Sequence, residues 1–138
     1  MPAFRIGLMK TTATERTQAF MDALKELESS ENLDTVVALF ADDATLERLT
    51  HKTYEGKADA EKFWGEYLEP FNSISTEFYN VTEDDDGAVL EWESQGELKS
   101  GKAIHYKGVS SLSFAGEKVK GFRTYYDSAA FLSEGAKE

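Results

Sequence analysis

LEWESQGELKSGKAIHYKGVSSLSFAGEKVKGFRTYYDSAAF, residues 90–131, is the stretch whose reading decides the fold. Apolar and polar residues alternate through it, and two Gly-marked interruptions, Lys99-Ser100-Gly101-Lys102 and Ala115-Gly116-Glu117, divide it. Alternation with period two places successive side chains on opposite faces of a strand, and short Gly-containing breaks join antiparallel neighbours. The pattern therefore predicts a three-stranded meander over residues 88–98, 103–114 and 118–127. It closes on the polar-aromatic run Arg123, Tyr125, Tyr126, Asp127.

Upstream of the meander, residues 71–82 alternate and are rich in β-branched and aromatic side chains, which predicts a fourth long strand. An acidic turn, Glu83 to Gly87, separates the two. Residues 57–68 carry Phe63, Trp64, Tyr67 and Leu68 on one helical face, and Glu69-Pro70 ends that helix. Gly65 within it weakens an exposed helix by about 1 kcal/mol. Ala44 to Thr50 reads as a short strand. Phe20, Leu24 and Leu27 mark a helix reaching about Ser29, with Thr12 and Glu15 at capping-box spacing. Leu33, Val36, Val37 and Phe40 continue the spacing in a second, short helix, with Asn32 as its cap. Helices first and a meander after is an α+β order. One domain is expected over residues 1–138, with a loose lead-in at 1–11 and a frayed tail at 132–138.

The 138 residues carry a net charge of −11. That balance opposes nucleic-acid binding, which needs a basic footprint to displace counterions, and it opposes docking on anionic membranes. There are no cysteines. Thiol nucleophiles, thiolate metal sites and disulfides are thereby excluded, and the composition suits a reducing cytoplasm. No apolar stretch approaches the ~20 residues of a membrane span, and the first residues lack the pattern of a secretory leader.

Chemistry-bearing motifs are few. No phosphate-binding Gly-rich loop and no Gly-x-Ser-x-Gly elbow occurs. Asp84, Asp85 and Asp86 lack the spacing of a calcium loop and read as a solvated turn, as do Asp42 and Asp43 after a helix end. His51 and His105 are the only histidines, and neither has metal-ligand neighbours. His51 is the better candidate for a site. Glu91 and Glu93 share one strand face: inside a dry pocket they are an acid–base pair, outside they are solvated while Trp92 points inward. Arg48 shares its parity with Leu46. On an inner face it needs a partner, Glu91 or Glu93, or an anionic ligand group. The last strand offers Phe122, Thr124 and Tyr126 on one face and Arg123, Tyr125 and Asp127 on the other.

ALFADDATLE (38–47), YEGKADAEKFW (54–64) and GVSSLSFAGEKVKGFRTYYD (108–127) together resemble the SnoaL-like branch of the nuclear transport factor 2-like superfamily. The resemblance spans roughly residues 14–131. It implies a cone of three helices packed on a curved, mostly antiparallel sheet, enclosing a pocket for a small hydrophobic molecule. It also implies a homodimer through the outer sheet face, with Trp92, Arg123 and Tyr125 as interface candidates.

Family members with known chemistry place their polar groups where this sequence has others. The catalytic base of ketosteroid isomerase falls on Arg48, its second aspartic acid on Ser110, and its tyrosine near Phe20 or Leu24, so that mechanism is not expected. The Asn and Tyr of limonene epoxide hydrolase fall on Arg48 and Leu46. Its Arg and first Asp fall on the face of Glu91 and Glu93, and its last Asp falls on Thr124. The acid–base carboxylate of polyketide cyclases lies nearest Asp127. Two readings follow. One is a cofactor-independent isomerase, cyclase or hydrolase using Asp127, Glu91, Glu93 and Arg48. The other is a non-catalytic ligand-binding or dimeric accessory protein. Either way, Leu46, His51, Trp64, Ser110, Leu112, Phe122, Thr124 and Tyr126 are the expected ligand contacts, with no metal and no cofactor.

Overall fold

Three helices and a single sheet of six strands are built from residues 13–48 and 52–132, the parts of the chain that the computed structural model describes. The helices are α1 (Glu15–Ser30), α2 (Asp34–Ala38) and α3 (Lys57–Leu68). The strands are β1 (Phe40–Arg48), β2 (Thr53–Glu55), β3 (Phe71–Glu83), β4 (Gly87–Leu98), β5 (Ala103–Ala115) and β6 (Lys118–Tyr126), and a 3-10 turn follows at Ser128–Phe131. The strand order is β2-β1-β6-β5-β4-β3, antiparallel throughout except for the parallel β1–β6 pair. The sheet is curved and does not close, and the helices pack in its concavity, an α+β cone. None of the described helices is long and apolar enough to cross a membrane.

The meander follows its turn chemistry. Gly101 and Gly116 sit at φ 93° and 62°, the left-handed region that glycine enters without strain. In the acidic turn, the Asp84 carboxylate accepts from the backbone N–H groups of Asp86 and Gly87 at 2.9 and 3.0 Å, which tightens the chain reversal. Those same bonds hold the Asp84 carboxyl below its ordinary range.

Phe40 departs from the helical reading of residues 33–40. It opens β1 opposite Val119, and the Val119 N–H donates to the Leu39 carbonyl at 2.8 Å. Pairing with β6 claims the residue, and an irregularity between Phe40 and Thr45 restores the register. Asn32 is not the cap residue expected: Leu33 occupies that position, and the Asn32 side chain accepts from the Asp34 N–H at 2.9 Å from one residue further out, a local turn bond. β2 was not anticipated, because three residues are too few to show alternation; it pairs with Thr45–Glu47 of β1. Thr12 of the expected capping box lies outside the described residues.

The inner face is aromatic. Phe20 on α1, Phe40 on β1, Phe63 and Trp64 on α3 and Phe122 on β6 are all buried and contact one another. A second cluster at the other end of the sheet joins Phe71, Ile74, Trp92, Ile104 and Tyr106, with Phe131 of the 3-10 turn packed over it. Between the two clusters the packing leaves a gap.

Candidate ligand-binding cavity

That gap is a cavity of about 210 Å³. Phe20 and Leu24 of α1, Phe63 and Trp64 of α3, and Phe78 and Phe122 of the sheet form its apolar wall. Phe71, Tyr126 and Phe131 form the end beneath the second cluster. Three polar groups interrupt this lining.

The first is Arg48 at the end of β1. Its guanidinium lies 3.6 Å from Glu66 on α3 and stacks over the Phe63 ring, 4.9 Å from the centroid. Tyr54 of β2 donates its hydroxyl to the same Glu66 carboxylate. That bond, and then Arg48 beside it, hold the Glu66 carboxyl low, and the same bond to Glu66 holds the Tyr54 hydroxyl high, so at neutral pH Arg48 and Glu66 are an ion pair and Tyr54 a neutral donor to it. The second is a buried chain across three strands: Trp92 Nε1 donates to Ser110 Oγ at 2.9 Å, and Ser110 Oγ lies 2.9 Å from Thr124 Oγ1.

The third centres on Glu28 of α1. Its carboxylate accepts from the Thr76 N–H at 2.9 Å, the Thr76 hydroxyl at 2.6 Å and the Tyr67 hydroxyl at 2.5 Å. Thr76 Oγ1 in turn lies 2.7 Å from Ser94 Oγ. Burial raises the Glu28 carboxyl above its usual range, and the bonds from Thr76 and Tyr67 only partly offset it. Burial likewise pushes the Tyr67 and Tyr106 hydroxyls up, so both stay protonated. One donor is left over: among the described residues the buried Nε1 of Trp64 has no hydrogen-bond partner.

The expected site residues divide sharply. Arg48, Trp64, Ser110, Phe122, Thr124 and Tyr126 line the cavity. Leu46 and Leu112 do not; both are fully packed in the core behind it. His51 lies outside the described residues. The carboxylates expected to do acid–base work are elsewhere. Glu91 and Glu93 are on the outer sheet face, where Asn80 donates to Glu91 at 2.9 Å and Glu93 pairs with His105. Alternation decides this, because Leu90, Trp92 and Ser94 take the inward positions of β4. Trp92 is therefore not an outer-face contact, whereas Arg123 and Tyr125 are exposed there. Asp127 is exposed and accepts from the Ala129 N–H at 3.0 Å, capping the 3-10 turn. Arg48 pairs with Glu66 rather than with Glu91 or Glu93, which the sheet holds on its opposite face.

Glu28, Thr76 and Ser94 escaped the sequence reading, and Tyr67 was placed on the buried face of its helix without a site role. Each of the three sits in a helix or strand where its polarity reads as surface, and only tertiary packing joins residues 48 positions apart. The one signal available was parity: Thr76 and Ser94 occupy inward positions of β3 and β4 and pair directly.

The profile of the SnoaL-like domain family matches residues 17–122. This chain belongs to that family. Solved structures agree on the fold. An NTF2-like protein from Anabaena variabilis superposes with a TM-score of 0.74 at 19% identity, over 83% of this chain and 88% of that one. A hypothetical protein of ketosteroid isomerase-like fold from Catenulispora acidiphila, solved with trimethylamine, gives 0.77 at 16% identity over 91% and 95%. A protein assigned as a SnoaL-like polyketide cyclase from Jannaschia gives 0.73 at 16% over 87% and 93%. Identities this low establish shared architecture and leave the chemistry to each site. No curated protein matches the sequence. Among the described residues, no three His, Asp or Glu side chains gather as a metal would require. Within this SnoaL-like cone, the residues that face the cavity at Arg48 and Ser110 are a cation and a hydroxyl, so the site must be read from its own groups.

Proposed function

We propose that this SnoaL-like protein binds a small, mainly apolar molecule of one or two rings that presents a hydrogen-bond acceptor to Trp64. The carrying observation is Trp64, a residue of the cavity wall whose buried N–H has no partner among the described residues. A buried donor without an acceptor costs roughly 1–3 kcal/mol, and a bound carbonyl or ether oxygen would recover it. Size supports it as well. A dry cavity of ~150 Å³ holds benzene, while drug-sized ligands occupy ~300 Å³ and more. At about 210 Å³ the cavity suits a bicyclic ketone and is small for a four-ring steroid. Binding is favoured over carboxylate-driven turnover because Asp127, Glu91 and Glu93 are outside the cavity, and Glu66 is already held by Arg48 and Tyr54.

The test compares 1-tetralone with tetralin, which differ by the carbonyl, in calorimetric titrations. Trp64→Phe keeps a ring and removes the N–H. It should weaken tetralone binding by up to about tenfold, the value of one hydrogen bond, and leave tetralin unchanged. Equal losses for both would eliminate the Trp64 role, and no binding of either to the wild type would sink the proposal.

The outer face of the sheet supports a second part of the reading, a homodimer. Val109 and Tyr125 are exposed as direct neighbours on β5 and β6, and Val89 on β4 and Tyr79 on β3 are exposed on the same face, with Glu91 between them and Glu93 and Lys107 at the edge. Val109→Asp should convert a dimer to monomer in analytical ultracentrifugation. A wild type that sediments as a monomer at all concentrations refutes it.

A further inference from the structure

We infer that the Thr76–Ser94 hydroxyl pair, backed by the Glu28 carboxylate, is a hydrogen-bond-accepting end of the cavity that selects ligands with a hydroxyl donor, such as phenols and enols. The inference rests on the cavity being a ligand site and adds which chemical group its polar end recognises.

The direction of each hydrogen bond follows from counting protons. The Glu28 carboxylate has only acceptors, and three donors converge on it: the Thr76 N–H, the Thr76 hydroxyl and the Tyr67 hydroxyl. Each hydroxyl has one proton. Thr76 gives its proton to Glu28, so the 2.7 Å contact with Ser94 must be a bond in which Ser94 donates and Thr76 accepts. The Ser94 proton is thereby committed away from the cavity, and what Ser94 offers to a ligand is lone pairs. Ser94 lines the cavity and stands directly across from Tyr106 on β5. Chains of this kind polarise each link, so Ser94 is a better acceptor than an isolated serine.

Protonation of Glu28 reverses the order. A carboxylic acid proton displaces one of the incoming hydroxyls; if Thr76 turns, it donates to Ser94, and Ser94 turns its proton to the cavity. Proton exchange has a route, because the other side of Glu28 borders a surface groove with Glu31, Glu69 and Lys99. The charged and titratable groups around the carboxyl are Lys25 on α1, whose ammonium donates to the Thr76 carbonyl at 3.1 Å, Tyr67 on α3 and Tyr106 on β5. Burial raises the Glu28 carboxyl, and the bonds from Thr76 and Tyr67 and then the charge of Lys25 lower it in part. The accepting state is present when Glu28 is ionised and is lost as pH falls through its raised value.

The probes are 2-naphthol and its capped counterpart 2-methoxynaphthalene. Wild-type protein should prefer the naphthol by about tenfold where Glu28 is ionised, and the preference should shrink as pH is lowered. Thr76→Val is isosteric, keeps the N–H bond to Glu28 and cuts the hydroxyl chain; it should abolish the preference. Ser94→Ala, which leaves Glu28, Tyr67 and Thr76 in place, should do the same and serves if the valine variant does not fold. In Glu28→Gln the preference should become smaller and independent of pH. A preference that survives both Thr76→Val and Ser94→Ala, or that is flat with pH in the wild type, overturns the inference. Equal binding of the two probes to wild type overturns it while leaving the cavity reading standing. Failure to bind either probe overturns both.

Discussion

Phe122→Ala should cost about 3–5 kcal/mol of stability, the range for deleting a buried aromatic ring. Phe122 is 3% exposed and its ring centroid lies 5.2 Å from Trp64, 5.6 Å from Phe20, 5.7 Å from Phe63 and 6.4 Å from Phe40. It is the sheet residue on which α1, α3 and β1 all converge. Truncation removes its transfer free energy and opens a void continuous with the existing cavity. Rings fixed by helix and strand backbones cannot collapse into that space, which places the cost toward the upper end of the range. Urea titration should show the midpoint falling with an unchanged slope. A loss below about 1 kcal/mol would mean the aromatic cluster is not the keystone described here.

Phe122 also shows how far the sequence could be read. Its inward orientation follows from parity with Thr124 and Tyr126, and so does the architecture of the meander, whose hairpins are fixed by Gly101 and Gly116. Helix α3 begins and ends where its periodicity and Pro70 require. The family resemblance anticipated the cone and the SnoaL-like membership that the domain profile shows. β1 was harder, because FADDAT has both helical and strand character until β6 arrives to pair with it. The parallel β1–β6 contact joins residues far apart in the chain, and no local pattern encodes it.

The candidate site was legible only where burial and parity coincide. Trp64, Ser110, Phe122, Thr124 and Tyr126 are inward residues on elements that could be placed from sequence. Leu46 and Leu112 have the same parity, but their neighbours close over them, and depth within a core is a tertiary property. The carboxylates were harder still. A glutamate on a strand reads the same whether it faces solvent or a pocket, and the decisive fact for Glu91 and Glu93 is that Trp92 takes the inner side. Glu28 is the converse: helical spacing places it near the edge of the apolar face of α1, and only the arrival of Thr76 and Tyr67 makes it a half-buried acceptor.

Gly108→Ala should destabilise by about 1–3 kcal/mol through overpacking and should also disturb the cavity wall. Gly108 occupies an inward position of β5, directly across from Trp92 on β4 and Tyr126 on β6. A Cβ there would stand 2.4 and 2.6 Å from the Trp92 ring carbons Cζ2 and Cη2 and 2.6 Å from the Tyr125 carbonyl oxygen. The carbonyl belongs to the sheet and cannot retreat without loosening the β5–β6 ladder, so the indole must move. It is held by its bond to Ser110 and by an edge contact with Tyr106, 5.6 Å between centroids at 87°. Displacing it breaks the Trp92–Ser110–Thr124 chain and leaves the Ser110–Thr124 hydroxyl pair of the cavity wall without its indole donor. Trp92→Phe shortens the ring and removes the two clashing carbons, so the alanine should cost less in that background than in the wild type. A double-mutant cycle measures the difference, expected at about 1 kcal/mol or more for residues in direct contact. Additive costs would assign the whole penalty to the Tyr125 carbonyl and remove Trp92 from the account. A Gly108→Ala variant of unaltered stability and ligand affinity would mean that the close approach of indole to backbone is not what requires glycine at this position.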